Sequence, residues 1–172
     1  MSAFPKTKSF GFSLVELMFA IVILAVLVGI AMPSFSTWLR NSQIRNAAES
    51  IANGLQRARA EAVARNTSVA FVLATDSSWT VDYVVKPVAA DPPIDSRSSS
   101  EGSRDVTRTV LPAGATTVTF NNLGQVTDAT PLAQVDFAAV GGNRNLRVTI
   151  GVGGNARMCD PNLISGSSPS AC

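Results

Sequence analysis

Hydrophobic positions are spread along this chain in two different ways, and the change comes near Pro33. Before it, Leu17–Met32 (LMFAIVILAVLVGIAM) is sixteen residues without a charge. Phe12, Leu14 and Val15 extend the apolar run to 21 residues, interrupted only by Ser13 and Glu16. As a helix this run is roughly 30 Å long, the thickness of a bilayer's hydrocarbon core. It is apolar on every side, which no surface helix of a soluble domain tolerates. Beyond Pro33, Ile44, Ala48, Ile51, Leu55, Ala58 and Ala62 recur at alternating spacings of four and three. That is the stripe of an amphipathic helix. Arg40, Arg45, Glu49, Arg57, Arg59, Glu61 and Arg65 fall on its other faces. Asn66 predicts the C-cap, with Arg65 in the last turn opposing the helix dipole. One helix from Phe12 to Arg65 is expected, half for lipid and half for a core.

The rest of the chain switches to a period of two. Ser68–Ala74, Trp79–Val85, Val106–Leu111, Thr116–Asn121, Gln134–Val140 and Leu146–Val152 are β-rich runs, several alternating apolar and polar residues. Half-buried antiparallel strands read this way. Turn signals separate them at Asp76-Ser77-Ser78, Pro112-Ala113-Gly114, Asn122-Leu123-Gly124 and Gly141-Gly142-Asn143. The helix stripe and one sheet face need each other, so the expected class is α+β, a long N-terminal helix packed on an antiparallel sheet or sandwich. Lys86–Asp105, rich in Pro, Ser and charge, reads as a long exposed loop. The tail Asp160–Cys172 has no periodicity.

Composition narrows the chemistry. With 172 residues the chain suits one compact domain. It contains no histidine, which excludes Ser-His-Asp and Cys-His nucleophilic sites. Its two cysteines cannot form a four-cysteine zinc site. The lysines are Lys6, Lys8 and Lys86, so no phosphate-binding GxxxxGK[ST] loop exists. Gly151-Val152-Gly153-Gly154 follows the last predicted strand and opens no helix, unlike a phosphate cradle. Asp128 and Asp136 are candidates for a carboxylate pair that spacing alone does not establish. The net charge of +2 equals the contribution of Lys6 and Lys8, and the remaining residues balance at 12 basic and 12 acidic. A dedicated nucleic-acid binder is not balanced in this way. The expectation is a protein without catalysis, cofactor or metal.

The N-terminus admits several readings. A basic leader followed by an apolar core and a small-residue site such as Gly29-Ile30-Ala31 fits a secretory signal. The same run with cytoplasmic Lys6 and Lys8 fits a permanent anchor. Neither accounts for Glu16, because a carboxylate at bilayer depth costs about 2.5–3.5 kcal/mol. The segment Gly11-Phe12-Ser13-Leu14-Val15-Glu16-Leu17, after a short basic leader and before an apolar helix, closely resembles the class III signal of type IV pilins and type II secretion pseudopilins. The resemblance implies that a prepilin peptidase cuts between Gly11 and Phe12 and N-methylates Phe12. Residues 1–11 are then leader, 12–35 the transmembrane and assembly helix, and 36–172 the amphipathic helix and β-rich head. Cleavage creates an α-amine on Phe12 that Glu16 of a neighbouring subunit can neutralise, and such pairing favours one axial stagger. Pro33 stands where family members carry a helix-interrupting Pro, and with Gly29 it predicts a kinked or melted turn. Ending the membrane helix is the plainer role for Pro33.

The resemblance extends into the head. Ala58–Asn66 (ARAEAVARN) and Thr117–Val126 (TVTFNNLGQV) are similar to the GspH/FimT family of minor pilins and pseudopilins. The family implies a β-sandwich-like head, low abundance, a role in priming a fibre and a place near its tip. Implied partners are other minor and major pilins, with the inner membrane as anchor and a periplasmic head that later joins a surface fibre. Outside the cytoplasm Cys159 and Cys172 are expected to form a disulfide closing the tail. That Cys-bounded tail resembles pilus members such as FimU and FimT more than the secretion pseudopilin. One FimT-like branch binds DNA through a GRxR motif. The matching Gly154-Asn155-Ala156-Arg157 has Asn155 at the first Arg. Arg144, Arg147 and Arg157 gathered on one edge are the candidate DNA contacts, against the alternative of an ordinary solvated surface.

Overall fold

The computed structural model describes residues 11–166 and 168–172; the basic leader and its two lysines lie outside that range. Helix α1 (Leu14–Ala64) opens with the Leu17 N–H donating to the Ser13 carbonyl at 3.1 Å. It is continuous through Gly29 and Pro33, so the melted turn expected there is absent. Proline removes only one helical donor, and the residues on both sides stay helical. The Ser36 hydroxyl donates to the Pro33 carbonyl at 2.9 Å. The far end closes as anticipated at Asn66, which takes φ +50°. Thr67 N–H donates to the Ala62 carbonyl and Asn66 N–H to the Val63 carbonyl. This crossed pair is a Schellman closure with Asn66 at the left-handed position.

The chain separates into two compact units between Ser36 and Thr37. In the first, the apolar side chains of α1 are exposed, and the helix is long and apolar enough to cross a membrane. In the second, Ile44, Ala48, Ile51, Leu55, Ala58 and Ala62 are all at most 1% exposed, so the sequence stripe is the buried stripe.

Two four-stranded antiparallel sheets complete the head. The first contains β1 (Val69–Leu73), β2 (Trp79–Tyr83), β3 (Asp95–Arg97) and β5 (Thr117–Phe120), in the order β3-β2-β1-β5. The second contains β4 (Val106–Leu111), β6 (Gln134–Ala139), β7 (Leu146–Ile150) and β8 (Ala156–Cys159), in the order β4-β6-β7-β8. Register follows the alternation of side chains: Phe71 faces Val81 on one side and Val118 on the other, and Val135 faces Val148. Phe71, Phe120 and Phe137 are fully buried in one core with the helix stripe.

Two sequence expectations are corrected. The segment Lys86–Asp105 is not wholly an exposed loop, because Asp95–Arg97 pairs with Val81–Trp79 as β3. Ile94 packs on the core beside it, and Ser103 is buried with its hydroxyl 2.7 Å from that of Ser77. An Asp-Ser-Arg strand has no apolar alternation, so its pairing is a matter of backbone hydrogen bonds and the neighbouring Ile94. The second correction is that Leu146–Val152 is not the last strand. β7 stops at Ile150, the chain reverses at Gly151–Asn155, and β8 returns with Met158 opposite Val148. The Gly151 N–H donates to the Asn155 carbonyl at 2.9 Å, so the glycine-rich stretch is a hairpin turn. Gly154 has φ +78°, and a Cβ there would lie 2.2 Å from the Gly124 carbonyl oxygen, which leaves room only for glycine.

Candidate functional site

At the N-terminal end, Gly11 and Phe12 precede the first helical turn, and Phe12 is 86% exposed. Glu16 lies in that turn, where the helix dipole favours a carboxylate. Among the described residues it makes no ion pair. Glu16 is therefore an exposed anion on an exposed apolar surface. Such a surface is stable in lipid or against other apolar helices, not in water. Gly29 has nothing within 4 Å of a hypothetical Cβ, so a neighbour can approach closely there.

At the C-terminal end, Cys159 and Cys172 form the expected disulfide, with Cα atoms 5.1 Å apart. The tail it closes is not structureless. Asp160 and Ala171 form a parallel bridge, with the Asp160 N–H donating to the Ser170 carbonyl at 2.7 Å. The Asp160 carboxylate is buried and accepts the Asn162 N–H at 3.0 Å.

The three arginines singled out from sequence all lie in this second sheet and its turns, but not as a row of open donors. Arg147 on β7 grips Asp136 on β6 through two hydrogen bonds, of 2.6 and 3.0 Å. The bonding to Asp136 holds the Arg147 guanidinium even further above neutrality than usual. Arg157 on β8 donates to the carbonyls of Pro169 and Ala171 at 3.1 and 2.9 Å, clamping the tail. Arg144 lies 3.5 Å from the Asp160 carboxylate. A phosphate would have to displace hydrogen-bonded partners from Arg147 and Arg157, so the three are not the row of open donors expected from sequence; Arg144 is ion-paired only and keeps 62% of its side chain exposed. Asp136 is taken up by Arg147, while Asp128 accepts the Thr119 N–H and hydroxyl. The two carboxylates serve different sheets and do not form a pair acting on a common substrate.

Sequence reasoning missed the fastenings at the start of the head. Asn41 and Asn143 are reciprocally bonded: the Asn41 amide donates at 2.8 Å and accepts the Asn143 N–H at 3.1 Å. Arg40 pairs with Asp105. Asp76 is a further hub. It accepts the Ser78 hydroxyl, the Ser78 N–H at 2.9 Å and the Ser99 hydroxyl at 2.7 Å. These bonds hold its carboxyl down at about 2. The Asn-Gly-rich turn at 141–143 was the one visible signal for the first of these contacts.

The comparisons with known proteins agree with this architecture. The family described as type II transport protein GspH matches residues 47–154, and the prokaryotic N-terminal methylation motif matches residues 6–32. No curated protein matches the chain. The minor pilin FimU of Pseudomonas aeruginosa PAO1, in its P21 crystal form, is similar with a TM-score of 0.51 and 20% identity over 78% of this chain and 98% of FimU. The minor pseudopilin EpsH of the Vibrio cholerae type 2 secretion system is similar with a TM-score of 0.52 and 15% identity, over 70% of this chain and 99% of EpsH. At these identities the likeness is one of fold. The GspH match spans more than half of the chain, from the amphipathic half of α1 to the β7–β8 turn, and with the methylation motif ahead of it the chain belongs to the GspH family of type II transport proteins.

Proposed function

We propose that this chain is a non-enzymatic minor type IV pilin that primes fibre assembly and sits near the tip, supporting adhesion, twitching motility or DNA uptake. It is made as a single-pass inner-membrane protein with a periplasmic head, cut by prepilin peptidase between Gly11 and Phe12, and drawn into the fibre with other minor and major pilins. The observation that carries this reading is Glu16, a carboxylate with no ion pair among the described residues, in the first turn of an exposed apolar helix. In a bundle of such helices an unpaired charge is strongly unfavourable. The Phe12 amine released by cleavage is the cation that relieves it. Pairing across subunits fixes one stagger, so its main product is register. In sheared fibres the wild-type protein is expected alongside the major pilin. Glu16→Ala should remain processed and membrane-bound but be absent from the fibre, and normal incorporation would overturn the register role.

A second reading, a type II secretion minor pseudopilin, is supported by the GspH family description and the fold likeness to EpsH. Deletion separates the two: loss of surface fibres supports the pilus, loss of exported enzymes with normal fibres supports secretion. DNA capture by Arg144, Arg147 and Arg157 is the weaker reading, because Arg147 and Arg157 are already held by hydrogen bonds within the chain and Arg144 alone stays open.

A further inference from the structure

We infer that the head carries, around its first residues, a docking surface for an anionic bilayer surface, built from Trp38, Val140, Arg45 and Arg144. The inference rests on the proposed membrane anchoring and deepens it.

The residues come together through contacts within the head. The β6–β7 turn is fastened to α1 by the reciprocal Asn41–Asn143 bonds, and a Cβ on Gly142 would lie 3.0 Å from Ile44. The fastened turn presents Val140 at 89% exposure, an unusual position for a valine. On the other flank of the same turn, Arg144 borders a cleft of about 430 Å³ together with Trp38, Asn41, Arg45 and Asp160. Trp38 is 63% exposed. An aromatic amphipath, an exposed aliphatic and two guanidinium groups are the residue types that settle at a membrane interface.

The occupant follows from the chain itself. Trp38 is six residues past Met32, where the apolar run ends. Six residues span at most about 22 Å even when fully extended, so Trp38 stays within that reach of the end of the apolar run. At Arg144 the local carboxylate does not cancel the arginine toward an incoming headgroup. Asp160 exposes 8% of its side chain where Arg144 exposes 62%. Arg45 keeps 65% exposure while bonded to Glu49, itself 44% exposed, and Arg40 is engaged with the exposed Asp105, so Arg144 is the guanidinium that carries the charge of this surface. At Arg144 the outward-facing guanidinium over an inward-facing carboxylate favours an anionic lipid phosphate.

The surface gives the head two successive partners. It rests on lipid while the subunit waits in the membrane, and is uncovered when α1 leaves the bilayer, so extraction into a fibre has to break this contact as well as withdraw the helix.

The test uses the full chain reconstituted into phosphatidylglycerol-containing vesicles, with phosphatidylcholine vesicles as comparison. Flotation first reports insertion. Hydrogen exchange of the 139–146 amides should be several-fold slower in the anionic vesicles, and lipids brominated near the headgroup should quench Trp38 emission. Trp79 is buried in the core and out of reach of the quencher. The double variant Val140→Asp/Arg144→Glu should float equally well and lose both signals. Floating protein with the same exchange rate in both lipids and no quenching overturns the docking surface alone. Failure to float overturns the membrane anchoring on which it rests.

Discussion

Gly54 shows how tightly single positions are determined in the head. Glycine inside a helix costs up to about 1 kcal/mol relative to alanine, yet this one faces the Phe71 and Trp79 rings. A Cβ there would lie 2.8 Å from Phe71 Cε2 and 3.0 Å from Trp79 ring atoms. Those rings are fixed in turn, since Trp79 Nε1 donates to the buried Ser50 hydroxyl at 2.8 Å. Overpacking of this kind costs about 1–3 kcal/mol, more than the helix propensity gained. Gly54→Ala should therefore lower the thermal unfolding midpoint, and a raised midpoint would show that the rings can move. Asp76 makes a prediction in pH. Its carboxyl is held at about 2, below the ordinary 3.8, first by the Ser78 hydroxyl, then by the Ser99 hydroxyl and the Ser78 N–H. A depressed folded value means the stabilisation is complete above pH ~4 and is lost as pH falls toward ~2. Urea unfolding across that window should show stability declining on acidification, with a shallower decline in Asp76→Asn. The effect is modest, because Asp76 is solvent-exposed.

At the scale of elements, the long helix and the alternating strands were legible because burial imposes a period. The 3.6-residue stripe from Ile44 to Ala62 and the alternation in β5, β6 and β7 reappear as buried residues. Where burial does not choose the residues, the pattern is silent. The Asp-Ser-Arg of β3 is an edge strand selected by pairing with β2, while β8, the other sheet's edge, packs Ala156 and Met158 on the core over too few residues to show a period. The arginines illustrate the same limit, since sequence shows charge but not which carbonyl or carboxylate meets it. Asp136 and the tail carbonyls come from distant positions in the chain. The cysteine pair was legible from the count of two, but the ordered path between them was not. Loop closure over 13 residues implies about 3 kcal/mol of stabilisation in the chain-entropy description. Cys159→Ser/Cys172→Ser should lose about that much in urea unfolding and speed amide exchange in the tail. Unchanged exchange there would mean that Arg157 and the Asp160–Ala171 bridge hold the tail unaided.

As a whole molecule, the chain joins two units suited to different surroundings. One exposes its apolar side chains, and the other hides its own beneath two sheets. A membrane, a methylating peptidase and a bundle of related helices each account for something in the first unit that water leaves unexplained. The second gives a disulfide-closed, GspH-type head for contact with other subunits. The proposed assembly depends on one chemical event, the creation of an amine at Phe12 to match the carboxylate at Glu16. Mass spectrometry of the protein extracted from membranes tests it directly. The account predicts a chain that begins with N-methylated Phe12; a chain that begins at any other residue, or keeps its leader, would contradict it.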